Sequence, residues 1–306
     1  MMNIKQILCP TDLTTDSSEA LRYAVALAHT YDSKLLLCHC GKEPALASQS
    51  FSPGEHGASR SLFADTLYKH LDKVDLAKLD WEGIIVEDKT DPAEGIAREA
   101  AKRGVDLIVM RSRRRPRAAI LLGSTAEAIC RTAPCPVLVT HPQEREWVDA
   151  GTGEVELRRV LIAYDFSDDS ERALAHALYF AQEYQSELHL LHVLPKPYEN
   201  GPEIAWGPSS VESAYHNAAR RLQEAVPKEA NLWCKITSAV RWGKPYKEIL
   251  SYSAEQNIDM ICMGVSGAGF MMESLFGSNV DRVLRQAPCP VLAARPLKPS
   301  PTFVTA

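Results

Sequence analysis

The sequence lacks three features that would each point to a familiar class of protein. No apolar run approaches the roughly 20 residues needed to span a bilayer, and no Gly-x4-Gly-Lys-Ser/Thr loop is present. The formal net charge of −5 gives no reason to expect a nucleic-acid partner. We therefore expect neither a membrane nor a nucleic-acid partner, and the chain is not a P-loop nucleoside triphosphatase. Because the first residues also lack a signal-peptide pattern, we expect a cytoplasmic protein.

The eight cysteines are scattered, and most of them lie inside apolar runs. Such cysteines are usually reduced, buried packing residues in cytosolic proteins. The one cluster is Cys38-His39-Cys40. On a regular strand Cys38 and Cys40 share a face while His39 points the other way, so the three side chains would not converge on one metal. Packing is the favoured interpretation, and a contribution to a metal site is left open.

The most informative property of the chain is an internal repeat. Ile7–Asp12 aligns with Val160–Asp165 at an offset of 153 residues, since Ile7 lies over Val160. Further along, Ala133–Leu138 and Ala287–Leu292 are both APCPVL, at an offset of 154. A register held over a whole half of the chain indicates duplication. The repeat predicts two domains, residues 1–141 and residues 157–296. A linker at residues 142–156 joins them, and a tail at residues 297–306 follows.

Each half alternates short apolar runs with amphipathic stretches of helical period. In the second half this pattern predicts five strands separated by four helices. The strands are Val160–Tyr164, Glu187–Leu194, Asn231–Val240, Ile258–Met263 and Pro290–Ala294. The helices are Ser170–Tyr184, Ser209–Ala225, one that begins at Pro245, and Ser278–Gln286. The pattern predicts an α/β fold: two tandem doubly wound domains, each a five-stranded parallel sheet with helices on both faces.

In such a sheet the ligand site is expected beyond the carboxyl ends of the strands, where the winding reverses. Met263-Gly264-Val265-Ser266-Gly267 closes the fourth strand of the second half. After nine more residues, Gly277-Ser278-Asn279-Val280 opens the next helix. The glycines let the backbone approach a ligand, and a helix start attracts anions, with Ser278 as a cap or a phosphate contact. Asp165 ends the first strand and is placed to accept hydrogen bonds from ribose hydroxyls. These residues alone predict an anion or nucleotide site, although strand-end glycines are often only turn residues.

The Gly264-x2-Gly267-x9-Gly277-Ser278 pattern resembles the ATP-binding signature of the universal stress protein (UspA-like) family. The Leu191-His192-Val193 strand, the Gly243-x-Pro245 turn and the APCPVL segment fit the same family. The resemblance covers nearly the whole chain, as two tandem copies of an adenine nucleotide alpha hydrolase-like fold. It implies that ATP, AMP or ADP binds the second domain, with Mg²⁺ as a candidate companion ion. The implied nucleotide-binding residues are Asp165 near the ribose or adenine, Val193 at the adenine, Met263 and Gly264 at the ribose, and Gly267, Gly277, Ser278, Asn279 and Val280 at the phosphates.

The first domain departs from this pattern at the motif itself. Aligned on Met110, the two strand-end glycines become Arg111 and Arg114, while Asp12 and Gly123-Ser124 remain. Long side chains here would occupy the space that a bound phosphate needs. We therefore expect the first domain to have lost ATP binding, and the alternative is that its arginines bind another anion.

No convincing catalytic set is present. His39 and His192 lie in apolar strands and are expected to be hydrogen-bonded core residues. The primary hypothesis is a stress-response protein in which a bound adenine nucleotide acts as a switch or structural ligand. The alternatives are a slow Mg²⁺-dependent ATPase and a scaffold whose nucleotide is purely structural.

The resemblance also predicts an assembly. Members of the family pair through the last strand, so Val137–Thr140 and Val291–Ala294 are expected at a pseudo-twofold interface within the chain. Dimerisation of the whole chain is left open.

Overall fold

The computed structural model describes only part of the chain. The described residues are 4–13, 17–40, 63, 78–86, 91–112, 124–141, 145–149, 152–196, 208–265 and 277–294. Residue contacts divide the chain into two compact units. The first unit contains residues 3–142 and 148–155, and the second contains residues 143–147 and 156–294.

The first unit contains a parallel sheet of five strands in the order β3-β2-β1-β4-β5. The strands are β1 Gln6–Pro10, β2 Lys34–Cys40, β3 Trp81–Val86, β4 Leu107–Arg111 and β5 Val137–Thr140. Its described helices are α1 Ser18–Tyr31, α2 Pro92–Arg103 and α3 Ser124–Thr132. The middle residues of β1 and all of β5 are buried, as expected of strands covered on both faces.

The second unit repeats this architecture, with strand order β8-β7-β6-β9-β10. Its strands are β6 Arg159–Ala163, β7 Glu187–Leu194, β8 Ile236–Trp242, β9 Met260–Gly264 and β10 Val291–Ala294. Its described helices are α4 Asp168–Tyr184, α5 Pro208–Ala225, α6 Pro245–Glu255 and α7 Ser278–Gln286, with a short 3-10 helix at Lys228–Leu232. These two sheets confirm the predicted fold class.

The winding of the second sheet reverses at β6. The chain runs outward from β6 to β7 and β8, and then returns to the other side of β6 to form β9 and β10. The carboxyl ends of β6 and β9 therefore lie side by side, with Ala163 in register with Met263. This is the position at which doubly wound sheets form a ligand crevice.

One predicted strand is wrong at its start. The structure has the 3-10 helix at Lys228–Leu232 and begins β8 only at Ile236, whereas the sequence predicted a strand from Asn231. Leu232 contributed to the apolar pattern, but its side chain is 87% exposed. An apolar residue in this segment is therefore not a buried one. Pro227 precedes a 3-10 helix here, where the sequence pattern had predicted a strand.

Part of the predicted linker is ordered. Val148 and Val155 form an antiparallel bridge. In the second unit, the Arg145 guanidinium donates to the Ile258 carbonyl at 2.8 Å and the Arg145 amide donates to the Pro288 carbonyl at 2.8 Å. The domain boundaries and the interface between the last strands stay predictions. The predicted tail lies outside the described residues.

The eight cysteines are free thiols, and all but Cys40 are buried. Burial raises the pKa of Cys9 and of Cys135 to about 12, so these thiols stay protonated. Among the described residues, no helix is long and apolar enough to cross a membrane.

Candidate functional site

A cavity lies at the carboxyl ends of β6, β7 and β9 in the second unit. Eight of the nine residues predicted to bind a nucleotide line it: Asp165, Val193, Met263, Gly264, Gly277, Ser278, Asn279 and Val280. The ninth, Gly267, lies outside the described residues. The two ends of the glycine motif meet at the cavity, because the Gly277 amide donates to the Val265 carbonyl at 3.0 Å.

The start of α7 is open toward this cavity. Gly277 is the N-cap residue, in an extended conformation, and no side chain caps the helix. The sequence had offered Ser278 as a cap, which is wrong, because Ser278 is already the first helical residue. The amides of the first turn have no partner within the helix, so they are suited to bind an anion.

Two other helices also begin at the cavity. Ser170 in the first turn of α4 and Pro245 at the start of α6 both line it. The start of α4 is closed by Ser167, whose hydroxyl accepts a hydrogen bond from the Ser170 amide at 3.2 Å. The start of α6 has no side-chain cap, as in α7. Three positive helix-dipole ends therefore surround one cavity, and two of them are not neutralised by a cap.

Asp165 is held in a defined orientation at the end of β6. Its Oδ1 accepts hydrogen bonds from the Ser167 amide at 3.1 Å and from the Ser167 hydroxyl at 2.5 Å. The intervening residue, Phe166, has a left-handed backbone with φ of 64°. This tight turn places the Asp165 carboxylate at the cavity wall, where it can accept hydrogen bonds from hydroxyl groups.

Gly264 has a packing role that sequence reasoning missed. A Cβ atom at this position would lie 2.7 Å from the main-chain carbonyl carbon of Asp169 in α4. A side chain would therefore collide with the helix start as well as with a ligand. In the first unit, Arg111 occupies the equivalent position, and its guanidinium forms an ion pair with Glu19 of α1 at 3.4 Å.

His192 also lines the cavity, although the sequence had suggested only a core role. Its Nδ1 is hydrogen-bonded to the Tyr164 carbonyl at 2.8 Å, and because a carbonyl only accepts, Nδ1 carries a proton. Burial is the main cause of a lowered pKa of His192, so the ring is neutral near pH 7. His39 makes the same contact with the Thr11 carbonyl at 3.0 Å in the first unit, as expected of hydrogen-bonded strand histidines.

Sequence reasoning did not assign several other wall residues to the site: Ala163, Tyr164, Ser170, Leu191, Pro245 and Ile249. Pro245 carried a usable signal, because a proline that opens a helix at a sheet's carboxyl edge also lies at the crevice. Ile249 follows one helical turn later and carried none. Within the described residues, no group of three or more histidine, cysteine or acidic side chains could hold a metal ion.

The first unit carries a different arrangement at the equivalent edge. Asp91 is the N-cap of α2, and its carboxylate accepts a hydrogen bond from the Ala93 amide at 2.9 Å. Lys244 is the equivalent residue before α6. Gly123 and Arg113–Arg117 lie outside the described residues. The described part of this edge thus has an arginine in place of Gly264 and a capped helix in place of the open start of α6.

The fold, the duplication and the glycine motif agree with a comparison to known families. The profile of the universal stress protein family matches residues 3–141 and again residues 156–295. The chain belongs to the universal stress protein family.

Curated relatives of the family match about half of the chain. A universal stress protein of Methanocaldococcus jannaschii is 30% identical over 146 residues, which cover 47% of this chain and 85% of the relative. One of Bacillus subtilis is 29% identical over 145 residues, which cover 45% of this chain and 98% of the relative. These relatives are the length of one repeat.

A solved structure matches both repeats together. A universal stress protein from Archaeoglobus fulgidus superimposes with a TM-score of 0.63 at 24% identity, over 96% of this chain and 97% of that one. This similarity supports the tandem fold of a universal stress protein.

Proposed function

We propose that the second unit binds one adenine nucleotide per chain, and that the nucleotide acts as a switch or structural ligand in a stress response. The observation that carries the proposal is the open start of α7 at a cavity that also contains Asp165, Val193 and Gly264. Free main-chain amides suit phosphate oxygens, and a strand-end carboxylate suits ribose hydroxyls.

The wall of the cavity favours binding over catalysis. The Nδ1 proton of His192 is used in a bond to a main-chain carbonyl, and Oδ1 of Asp165 accepts two hydrogen bonds from Ser167. Both side chains are thus fixed in position by local contacts. In this proposal ATP is the ligand, AMP and ADP are its competitors, and hydrolysis is not required.

The proposal predicts one site per chain, which isothermal titration calorimetry can count. Gly277→Asp adds a side chain and a negative charge at the open start of α7. Losing charge-assisted amide contacts and adding repulsion should weaken ATP binding by about 2–3 kcal/mol, which is roughly 30- to 150-fold.

Gly123→Asp is the matched control, because Gly123 aligns with Gly277 in the repeat. It should leave ATP affinity nearly unchanged. A stoichiometry of two, or loss of ATP binding through Gly123→Asp alone, would overturn the assignment to the second unit.

A further inference from the structure

Three basic residues lie near the starts of α6 and α7, the two helices whose first residues line the cavity. Lys244 is the N-cap residue of α6, and Lys247 lies in its first turn, where the Lys247 amide donates to the Lys244 carbonyl at 2.9 Å. Arg282 of α7 lies with its guanidinium carbon 4.5 Å from the centre of the Tyr246 ring. Lys244 adjoins Pro245 in the chain, and Arg282 lies one helical turn after Ser278; Pro245 and Ser278 both line the cavity. We call Lys244, Lys247 and Arg282 the basic rim.

The basic rim is unfavourable for the stability of the fold. A cation at the start of a helix is repelled by the positive end of the helix dipole, and two lysines three residues apart repel each other. Neighbouring carboxylates form ion pairs with other arginines: Glu248 with Arg241 at 3.8 Å, and Asp281 with the Arg285 Nε at 2.8 Å. The three rim side chains are exposed. Their placement therefore favours an external anion.

The first unit shows that the scaffold does not need these cations. At the positions equivalent to Lys244, Tyr246, Lys247 and Arg282 it has Asp91, Ala93, Glu94 and Ala128. There the N-cap carboxylate of Asp91 stabilises the helix in the ordinary way, through its bond to the Ala93 amide. The same architecture thus carries opposite charge in its two copies, and the basic rim is specific to the unit whose helix starts are open.

We propose that the basic rim binds the outer phosphate groups of a ligand whose remaining parts occupy the cavity. This rests on the proposed function. Ammonium and guanidinium groups form charge-assisted hydrogen bonds with phosphate oxygens, and Arg282 is kept in place by stacking on Tyr246. The rim makes affinity depend on the number of phosphates, so that the second unit distinguishes ATP from ADP and AMP.

The test compares adenosine, AMP, ADP and ATP by calorimetry at about 0.15 M salt, where remote charges are screened beyond about 8 Å. The variant combines Lys244→Asp, Lys247→Glu and Arg282→Ala, which restores the residue types of the first unit. ATP affinity should fall by about ten- to a hundredfold, with a smaller loss for ADP, while adenosine affinity changes less than about twofold. Without ligand, the thermal midpoint of the variant should rise by about 3 °C, because Lys244→Asp supplies a helix cap.

Lys228→Glu is the control for charge alone, matched to Lys247→Glu. Lys228 lies in the 3-10 helix that precedes β8, at the amino end of the strands and thus opposite the cavity. It should leave ATP affinity within about twofold of the parent, since its charge is screened at that distance.

Three outcomes would overturn the proposal: an unchanged ATP affinity in the triple variant, parallel losses for adenosine and ATP, or equal losses for Lys228→Glu and Lys247→Glu. The first of these would instead favour an acidic partner protein at the rim. A parent protein that binds none of the four ligands contradicts the proposed function itself. A parent that binds adenosine, AMP and ATP with equal affinity contradicts only the phosphate role of the rim.

Discussion

Gly264 shows how one missing side chain serves two neighbours. It ends β9 at the cavity wall, and on its other side it contacts the first turn of α4, where an added Cβ would lie 2.7 Å from the Asp169 backbone. A backbone neighbour cannot move aside as the end of a flexible side chain can. The strand end and the helix start are therefore packed in direct contact.

Gly264→Ala should destabilise the second unit by about 1–3 kcal/mol through overpacking, measured by urea denaturation. The control is Gly104→Ala in the first unit. Gly104 has φ of 66° and nothing within 4 Å of an added Cβ, so the substitution should lower stability only through backbone strain, by about 1 kcal/mol. If Gly264→Ala is no more harmful than Gly104→Ala, close packing does not explain the glycine.

At the level of elements, β7 and α6 are joined by a buried polar contact. The His189 Nδ1 lies 2.9 Å from the Tyr252 hydroxyl, and the histidine is only 3% exposed. Burial is the main cause of a lowered pKa of His189 in the folded protein. The ring is therefore neutral in the native state at pH values where an exposed histidine already takes up a proton.

This difference in pKa between the folded and unfolded states determines how the stability of the protein changes with pH. Below the unfolded-state pKa of about 6.5, the unfolded chain binds a proton that native His189 does not, so stability falls as pH decreases toward the folded pKa. His189→Gln should flatten the dependence of the free energy of unfolding on pH in that window, by up to about 1.4 kcal/mol per pH unit. Denaturant titrations between pH 7 and pH 5 measure this slope.

His216→Gln serves as the control, since the His216 side chain is 71% exposed on α5. It should leave the slope nearly unchanged. An unaltered slope in His189→Gln would mean that His189 titrates normally in the native protein.

The elements also show what a sequence can specify. The starts of α6 and α7 followed from Pro245 and Gly277, because proline fixes its own φ at a helix start and glycine is unfavourable inside a helix. The end of β7 at Leu194 followed from the end of an apolar run. The segment before β8 did not follow, because the exposure of Leu232 depends on what covers it. Likewise His192 and Ile249 reach the cavity through packing between elements, and no local pattern records that.

At the scale of the whole molecule, the two units combine one architecture with different surfaces at the strand ends. Each contains five parallel strands and its own buried apolar residues. A ligand that binds only the folded second unit stabilises that unit, by about 2.7 kcal/mol when its concentration is a hundred times Kd.

Hydrogen exchange followed by mass spectrometry should localise this effect. We expect ATP to slow exchange in peptides from residues 156–295, above all at the strand ends around the cavity, and to leave peptides from residues 3–141 unchanged. Equal protection in both halves would contradict a nucleotide site confined to the second unit.

The turn after the first strand of each unit records the history of the duplication. Leu13 and Phe166 occupy equivalent positions and share a left-handed backbone, with φ of 62° and 64°. This conformation is unfavourable for a residue with a side chain, by about 1–2 kcal/mol. One origin of this unfavourable turn before the duplication explains both copies more simply than two separate origins after it. The turn is therefore older than the duplication. Arg111 and Gly264, which occupy equivalent positions and differ, therefore reflect a change made after the duplication, while the turn beside them was kept in both copies.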